Sequence, residues 1–171
     1  MTGLTTEGQR LRRLNELPKD AAVGELLAVC HARRWAERVA AGRPYADVDA
    51  LQKAADEIWM DLAPADWLEA FKAHPRIGEP PPHGSAGWSR HEQAGVGAAD
   101  EDVQVAIAIG NAEYETRFGH VFLISAEGRD AEQILAELRR RLGNEADTEL
   151  RMAAEEHRRI TRLRIDKLMK E

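Results

Sequence analysis

The sequence predicts an all-α fold, and three observations carry that prediction. Apolar residues recur at three- and four-residue spacing along most of the 171 residues. Helix stop and start signals, such as Gly42-Arg43-Pro44, separate these periodic stretches. Residues 120–125, "HVFLIS", are the one good candidate for extended chain, and a single strand cannot form a sheet. We therefore expect one compact domain of about seven or more helices at residues 14–169, after an N-terminal arm at 1–13 that is helical or flexible.

The helices are predicted in chain order from these patterns. The first covers about residues 20–42, and the second runs from about 46 to 61. A short third helix has Pro64 near its first turn and ends before Pro75, because a residue that precedes proline avoids the α region. Three longer helices follow an irregular proline-rich stretch, at about residues 98–119, 130–144 and 146–169.

Composition excludes several functional classes. A hydrophobic share of 43% with 32% charged residues is typical of a soluble globular protein, and no run of 18 apolar residues is present that could span a membrane. The first residues lack the apolar core of a signal peptide, so we expect a cytoplasmic location. The net charge of −6 gives no support for a nucleic-acid partner, and the acids that surround "HRRITRLR" favour a solvated helix face there.

Metal and thiol chemistry find little support. The single cysteine, Cys30, lies within a helical pattern and is expected to be a small core residue rather than a nucleophile. The stretch "HEQAG" at residues 91–95 begins like the zinc-protease motif H-E-x-x-H, but Gly95 replaces the second histidine. His74, His83 and His91 do not have the spacing of a standard ligand set. We expect no metal and no cofactor.

Arg164 lies on the inner face of the last predicted helix. It is four residues after Ile160 and four before Leu168, on a stripe that also contains Ala153 and His157. Arg158, Arg159 and Arg162 fall elsewhere on the helix. An arginine on an apolar stripe either extends its head to solvent or meets an anion. The residues alone leave both open.

The irregular stretch at residues 71–96 gathers polar side chains at a break between helices. His74 lies at the start of the break, and Ser89, Glu92 and Gln93 lie at its end. Ser89 and Glu92 have the S-x-x-E spacing of a capping box, which would begin a new helix. A structural role for these residues and a functional one are both compatible with the pattern.

An ordered set of motifs resembles one family. The set comprises "LNELP" (14–18), "RP" (43–44), "AHPRIG" (73–78), "WSRHEQAG" (88–95), "NAEYETRFGHVFLIS" (111–125), "LRRRLGN…E" (138–149) and "RRITRLRIDKL" (158–168). Together these motifs resemble the OHCU decarboxylase family, where OHCU is 2-oxo-4-hydroxy-4-carboxy-5-ureidoimidazoline, an intermediate of urate breakdown. The resemblance implies an all-α, cofactor-free decarboxylase, commonly a homodimer, that converts OHCU to (S)-allantoin and carbon dioxide.

The resemblance also implies the site residues. The catalytic residues of the family fall on His74, Glu92 and Arg164. Its substrate-binding positions fall on Pro75, Ser89, Gln93 and the main chain of Leu123, Ile124 and Ser125. Ser125 stands where relatives often have cysteine, and His120 where they often have an aromatic or apolar residue. The roles of His83, His91 and His120 stay open.

Three other functions are compatible with parts of the sequence. The first is a lyase that acts on a related ureido or imidazoline acid through the same residues. The second is a non-catalytic helical binding module that has kept the scaffold, although His74, Glu92 and Arg164 are all present. The third is a regulatory nucleic-acid binder, which the acidic net charge disfavours.

Overall fold

The computed structural model describes residues 6–79 and 99–171. Eight helices lie in these two ranges, and neither range contains a strand. In chain order they are α1 (Thr6–Glu16), α2 (Lys19–Cys30), α3 (Arg33–Ala41), α4 (Val48–Met60), α5 (Pro64–Phe71), α6 (Glu101–Phe118), α7 (Ala131–Arg141) and α8 (Ala146–Lys170). The predicted all-α fold class is confirmed.

The helices group into two compact units. The first, here called the split unit, contains the chain up to Ala70 together with Arg158–Glu171. The second, here called the central unit, is the continuous stretch Phe71–His157. Helix α8 contributes residues to both, because it begins at Ala146 and ends at Lys170. Among the described residues, none of the helices is both long enough and apolar enough to cross a membrane.

The predicted single helix at residues 20–42 is wrong, because two helices occupy this range. Helix α2 ends at His31, whose φ of 63° is left-handed and whose N–H donates to the Leu27 carbonyl at 2.8 Å. Apolar periodicity continues across the break because each helix buries its own apolar face. Val29 and Cys30 are buried on one side of the break, and Trp35 and Ala36 on the other. A left-handed histidine is uncommon and has no signal in the sequence.

The motifs "LNELP" and "RP" lie together in the split unit. The Asn15 side chain brackets the Tyr45 backbone, with its amide donating to the carbonyl at 2.9 Å and its oxygen accepting from the N–H at 2.9 Å. The Arg43 guanidinium donates to the Leu14 and Leu17 carbonyls at 2.5 and 2.9 Å. These hydrogen bonds satisfy carbonyls at the end of α1 that lack intrahelical partners.

The core of the central unit lies between α6, α7 and the segment that joins them. Ile107, Tyr114, Ile134 and Leu138 are buried there. Helices α6 and α7 approach closely at Gly110, where an added Cβ would lie 2.6 Å from Leu138 Cδ2. Helix α6 ends at Gly119 with a φ of 76°, as its position predicts. Helix α7 begins with a capping box of Asp130 and Gln133.

The stretch predicted as extended chain forms neither a helix nor a strand. Its middle is nevertheless enclosed, since Phe122, Leu123 and Ile124 are all buried. Buried backbone outside regular structure needs hydrogen-bond partners from elsewhere in the protein. The partners of this stretch are therefore part of the candidate site.

Candidate active site

His74 lies just after α5 in the central unit. Its side chain is only 9% exposed, and its N–H donates to the Phe71 carbonyl at 3.1 Å, which closes the last turn before Pro75. The following backbone is held by α6. Asn111 donates to the Ile77 carbonyl at 3.0 Å, and Arg76 pairs with Glu115 at 2.8 Å. Asn111 and Glu115 are four residues apart and share one helix face, so α6 fixes the stretch that carries His74.

The ring of His74 contacts a second imidazole. The ring centroids of His74 and His157 lie 4.9 Å apart, with an interplanar angle of 78°, which is an edge-on contact. His157 is fully buried and also packs against Phe71 at 5.8 Å. The orientation of the His74 ring is therefore set by a side chain of α8.

His120 extends this group of rings. Its ring lies 5.4 Å from that of Phe71 and 5.5 Å from that of Tyr114. Burial among these rings lowers the pKa of His120 from its usual value of 6.5. The ring is consequently neutral at pH 7, and its place among aromatic residues is consistent with packing rather than with acid–base chemistry.

Two buried charged side chains hold the stretch that contains Leu123 and Ser125. Arg141 Nη1 donates to the Leu123 carbonyl at 2.6 Å. The Ser125 N–H donates to Glu156 Oε2 at 2.8 Å. Both side chains are buried. The main chain on each side of Ile124 is therefore anchored by a charge-assisted hydrogen bond.

The charge of Arg141 is compensated by Glu149, and both residues are 0% exposed. Arg141 Nε donates to Glu149 Oε1 at 2.8 Å, and Asn144 donates to Glu149 Oε2 at 2.9 Å. The Tyr114 hydroxyl also donates to Glu149. Burial, together with this hydrogen bond, raises the pKa of Tyr114 well above its usual range. The Phe122 ring lies 4.6 Å from the guanidinium carbon, so the cation is enclosed on its face as well.

Glu156 and His157 are consecutive residues of α8 and contact both predicted segments. Glu156 accepts from Ser125, and His157 packs on His74. The central unit therefore brings together two predicted parts of the site, namely the stretch at His74-Pro75 and the main chain of Leu123–Ser125.

Arg164 belongs to the split unit. It is 1% exposed, and its Nη1 donates to the Val29 carbonyl at 3.2 Å. The alternative in which its head extends to solvent is therefore wrong. Arg158 and Arg162 instead pair with Asp56 at 2.8 and 2.9 Å. The inner position predicted for Arg164 from helical spacing is confirmed.

The Arg164 guanidinium has two titratable neighbours in the split unit. Burial, and secondarily this cation, lower the pKa of His31. Burial raises the pKa of the Cys30 thiol to about 12, an effect that Arg164 partly offsets. Cys30 is completely buried, which confirms its predicted place in the core.

Several predicted site residues lie outside the described residues. These are Ser89, Glu92 and Gln93, with the capping box and the "HEQAG" stretch, and also His83 and His91. Within the two described ranges, no group of three or more His, Cys, Asp or Glu side chains could hold a metal ion.

Comparison with known proteins decides the family. The family model for OHCU decarboxylase matches residues 15–166 of this chain. The chain belongs to the OHCU decarboxylase family. An OHCU decarboxylase from Amia calva is 33% identical over 166 residues, which cover 93% of this chain and 94% of that protein. The uric acid degradation bifunctional protein TTL of Arabidopsis thaliana is 32% identical over 144 residues, which cover 81% of this chain. The chain spans 44% of the length of that bifunctional relative.

A solved structure confirms the OHCU decarboxylase fold. A crystal structure of OHCU decarboxylase, determined in the presence of (S)-allantoin, aligns with a TM-score of 0.76 and 29% identity. The alignment covers 86% of this chain and 98% of that one. The fold type and the family predicted from the motifs are both confirmed.

Some functional candidates were missed by reasoning from the sequence. His157 was placed on the inner stripe, but its contact with His74 was not anticipated. Arg141, Asn144 and Glu149 all lie in the motif "LRRRLGN…E", which indicated the OHCU decarboxylase family without indicating a role for any of them. The signal that could have identified Arg141 is its place, as a charged residue, on the face of α7 that also carries Ile134 and Leu138.

Proposed function

We propose that this chain catalyses the decarboxylation of OHCU to (S)-allantoin and carbon dioxide in urate breakdown. The observation that carries the proposal is the family match, which extends over residues 15–166 and so includes His74, Glu92 and Arg164. The presence of (S)-allantoin with the similar solved decarboxylase supports the choice of product.

The chemistry follows from the substrate. As its name states, OHCU carries a hydroxyl and a carboxylate on ring carbon 4 and the ureido group on carbon 5. Breaking the bond to the carboxylate releases carbon dioxide and leaves an electron pair at carbon 4, which the adjacent ring imine accepts. The resulting enol loses its hydroxyl proton as carbon 5 gains one, and the face that receives this proton fixes the S configuration. The exchange between the hydroxyl and carbon 5 is neutral, so the one proton taken up for each carbon dioxide released goes to the former imine nitrogen.

This substrate supplies its own electron sink, so we propose that neither a metal nor another cofactor is required. The protein then has to orient the substrate, stabilise the developing charge and deliver the proton to one face. Activity that survives dialysis against EDTA at the wild-type rate is expected; loss of activity that zinc or magnesium restores would contradict this part of the proposal.

His74 is proposed as the general acid and base at the hydroxyl and the nascent enol. Glu92 would orient His74 and hold N–H groups of the substrate, and Arg164 would bind a carboxylate or carbonyl oxygen in fork geometry. Pro75, Ser89, Gln93 and the main chain of Leu123–Ser125 would contact the ureido group and the ring edges. Support comes from the burial of His74 and from the ring contact with His157, which orients its imidazole.

The test of the function is stereochemical. OHCU decays spontaneously to racemic allantoin, so an enzyme must give an excess of one enantiomer. Freshly generated OHCU should yield (S)-allantoin in excess when the protein is present, as followed by circular dichroism or polarimetry. A racemic product formed at the spontaneous rate would refute the proposal.

The role of His74 is tested by His74→Ala. General acid–base catalysis contributes about 10²- to 10⁴-fold, so kcat should fall by that factor while the far-UV circular dichroism stays unchanged. Lys72→Ala is the matched control, because Lys72 is exposed two residues before His74. Wild-type turnover by His74→Ala would show that another group moves the proton.

Glu92→Gln separates capping from catalysis. A capping role predicts a lower melting temperature with nearly normal kcat. The proposed catalytic role predicts the reverse, a low kcat with a nearly normal melting temperature.

We also propose that the protein is a homodimer that acts in the cytoplasm. The dimer follows from the family resemblance, and light scattering coupled to size exclusion would test it by the mass in solution. Fractionation of cells that express the protein would test the location.

A further inference from the structure

The buried network around Arg141 takes no part in the proton transfer proposed above. Its central pair, Arg141 and Glu149, is completely enclosed, and both residues belong to the motif "LRRRLGN…E". A buried ion pair is weak evidence for stability, because well-packed apolar residues often replace such a pair without loss. Stability alone is therefore a weak reason for this chain to have the pair.

The geometry of Arg141 indicates a more specific role. Its planar guanidinium has donors that point in fixed directions. Nε and Nη2 contact the Glu149 carboxylate, at 2.8 Å for Nε, while Nη1 donates to the Leu123 carbonyl at 2.6 Å. Once Glu149 is fixed, the position of the Leu123 carbonyl follows from the shape of the guanidinium.

Glu149 is fixed by two further donors, and Arg141 is enclosed by rings. Asn144 donates to Glu149 Oε2 at 2.9 Å, and the Tyr114 hydroxyl donates to Oε1. The guanidinium carbon lies 4.6 Å from the Phe122 ring centroid and 5.9 Å from that of Tyr114. The cation can neither rotate in its plane nor leave it without losing these contacts.

A second anchor holds the opposite side of the same stretch. Glu156 accepts from the Ser125 N–H at 2.8 Å, two residues beyond the carbonyl that Arg141 holds. The main chain around Ile124 is thus fixed at both flanks by buried charges. Such rigid support is what a stretch of main chain needs if it is to recognise a small polar molecule.

We infer that Arg141 is a positioning residue for substrate binding. Held by Glu149, it fixes the Leu123 carbonyl and so places the main-chain groups of residues 123–125 that contact the substrate. This inference rests on the proposed function and assigns a role to residues that do not themselves touch OHCU.

The sequence permits a direct spectroscopic test. Leu123-Ile124 is the only Leu-Ile pair in the chain, so protein labelled with ¹³C′-leucine and ¹⁵N-isoleucine gives one cross-peak in an HNCO spectrum. Titration with (S)-allantoin should move this peak in the wild type. Arg141→Lys, which keeps the charge but not the fork, should shift the peak before any ligand is added. Arg140→Lys is the matched control, because Arg140 is an exposed neighbour that pairs with Glu137.

Kinetics then separate positioning from stability. We expect Arg141→Lys to raise both KM for OHCU and Kd for (S)-allantoin at least about tenfold, which is the effect of one charge-assisted hydrogen bond on binding. The value of kcat should stay within about threefold of the wild type. Arg140→Lys should match the wild type in all three. Assays are run well below the melting temperature of each variant, so that only folded protein is compared.

Three outcomes overturn the inference. They are a lower melting temperature with unchanged KM and Kd, a shifted cross-peak with unchanged affinity, and a loss confined to kcat. If Arg141→Lys is unfolded at the assay temperature, Tyr114→Phe replaces it. That variant removes one of the donors that fix Glu149, and through it Arg141, and should raise KM and Kd in the same direction; unchanged values again overturn the inference. A wild type that does not convert OHCU refutes the proposed function instead, so the two failures are distinguishable.

Discussion

Replacement of Arg141 by methionine should lower the free energy of unfolding by about 3–5 kcal/mol, because it leaves the Glu149 carboxylate buried without its cation. Both side chains are 0% exposed, so water cannot compensate for the loss. Methionine fills a similar volume but cannot donate to the Leu123 carbonyl, to which Arg141 Nη1 donates at 2.6 Å. In a chain of this length, each kcal/mol corresponds to about 2–4 °C, so the melting temperature should fall by about 6–20 °C.

Urea unfolding followed by far-UV circular dichroism measures this change, and a double-mutant cycle isolates its cause. Adding Glu149→Gln to Arg141→Met removes the uncompensated charge and should recover part of the loss, with a coupling energy of about 1–3 kcal/mol. Arg140→Met is the control and should stay within about 0.5 kcal/mol of the wild type, because its partner Glu137 is reached at the surface. A loss below about 1 kcal/mol for Arg141→Met, or no recovery in the double variant, would refute the reasoning.

Three further predictions concern other buried groups. Because burial raises the pKa of Cys30 to about 12, its thiol should react with DTNB at pH 8 only at the rate of unfolding; immediate reaction of native protein would contradict its enclosure. Burial lowers the pKa of His120, so the unfolded chain binds this proton first and stability should fall as pH drops below about 6.5. His120→Phe should weaken that decline in thermal melts between pH 7 and 5, and an identical decline in both proteins would refute the assignment. Gly110→Ala should lower the free energy of unfolding by about 1 kcal/mol, because its Cβ would lie 2.6 Å from Leu138 Cδ2. Gly24→Ala, whose Cβ would meet nothing within 4 Å, should raise it by about 0.5–1 kcal/mol. Urea unfolding measures both, and equal effects would show that Leu138 moves to make room for the new methyl group.

Much of the fold could be predicted because the apolar spacing and the terminal residues of a helix are local features of the sequence. The end of α6 at Gly119 and the bounds of α8 follow from spacing and terminal residues, and the structure agrees within one or two residues. The break at His31 could not be predicted. A left-handed histidine is selected by the packing of α2 and α3 rather than by a local preference of its own, so the apolar pattern continues through it.

The sequence could indicate a candidate site residue where a charged side chain falls among apolar residues on one helix face. Arg164 stood out as a cation on an apolar stripe, and its burial bears this out. Its partner, the Val29 carbonyl, lies 135 residues away in the chain, and the sequence near either residue gives no signal of the contact. The same is true of Arg141 and Leu123, which meet only through the packing of α7 on the stretch before it. The proposed roles of Glu92, Ser89 and Gln93 stay predictions.

The split unit has a consequence for how the protein is made on the ribosome. Its first part ends at Ala70, and its second part begins at Arg158. Gln52, in the first part, donates to the Arg162 carbonyl in the second. Asp56 pairs with the guanidinium groups of Arg158 and Arg162. At about 5–20 residues per second, synthesis of the intervening chain takes on the order of ten seconds. The central unit is therefore complete before the unit that starts ahead of it. During that interval the side chains of Gln52 and Asp56 and the Val29 carbonyl lack the partners that the last segment supplies, so the hydrogen bonding of the split unit is completed only when that segment has been made.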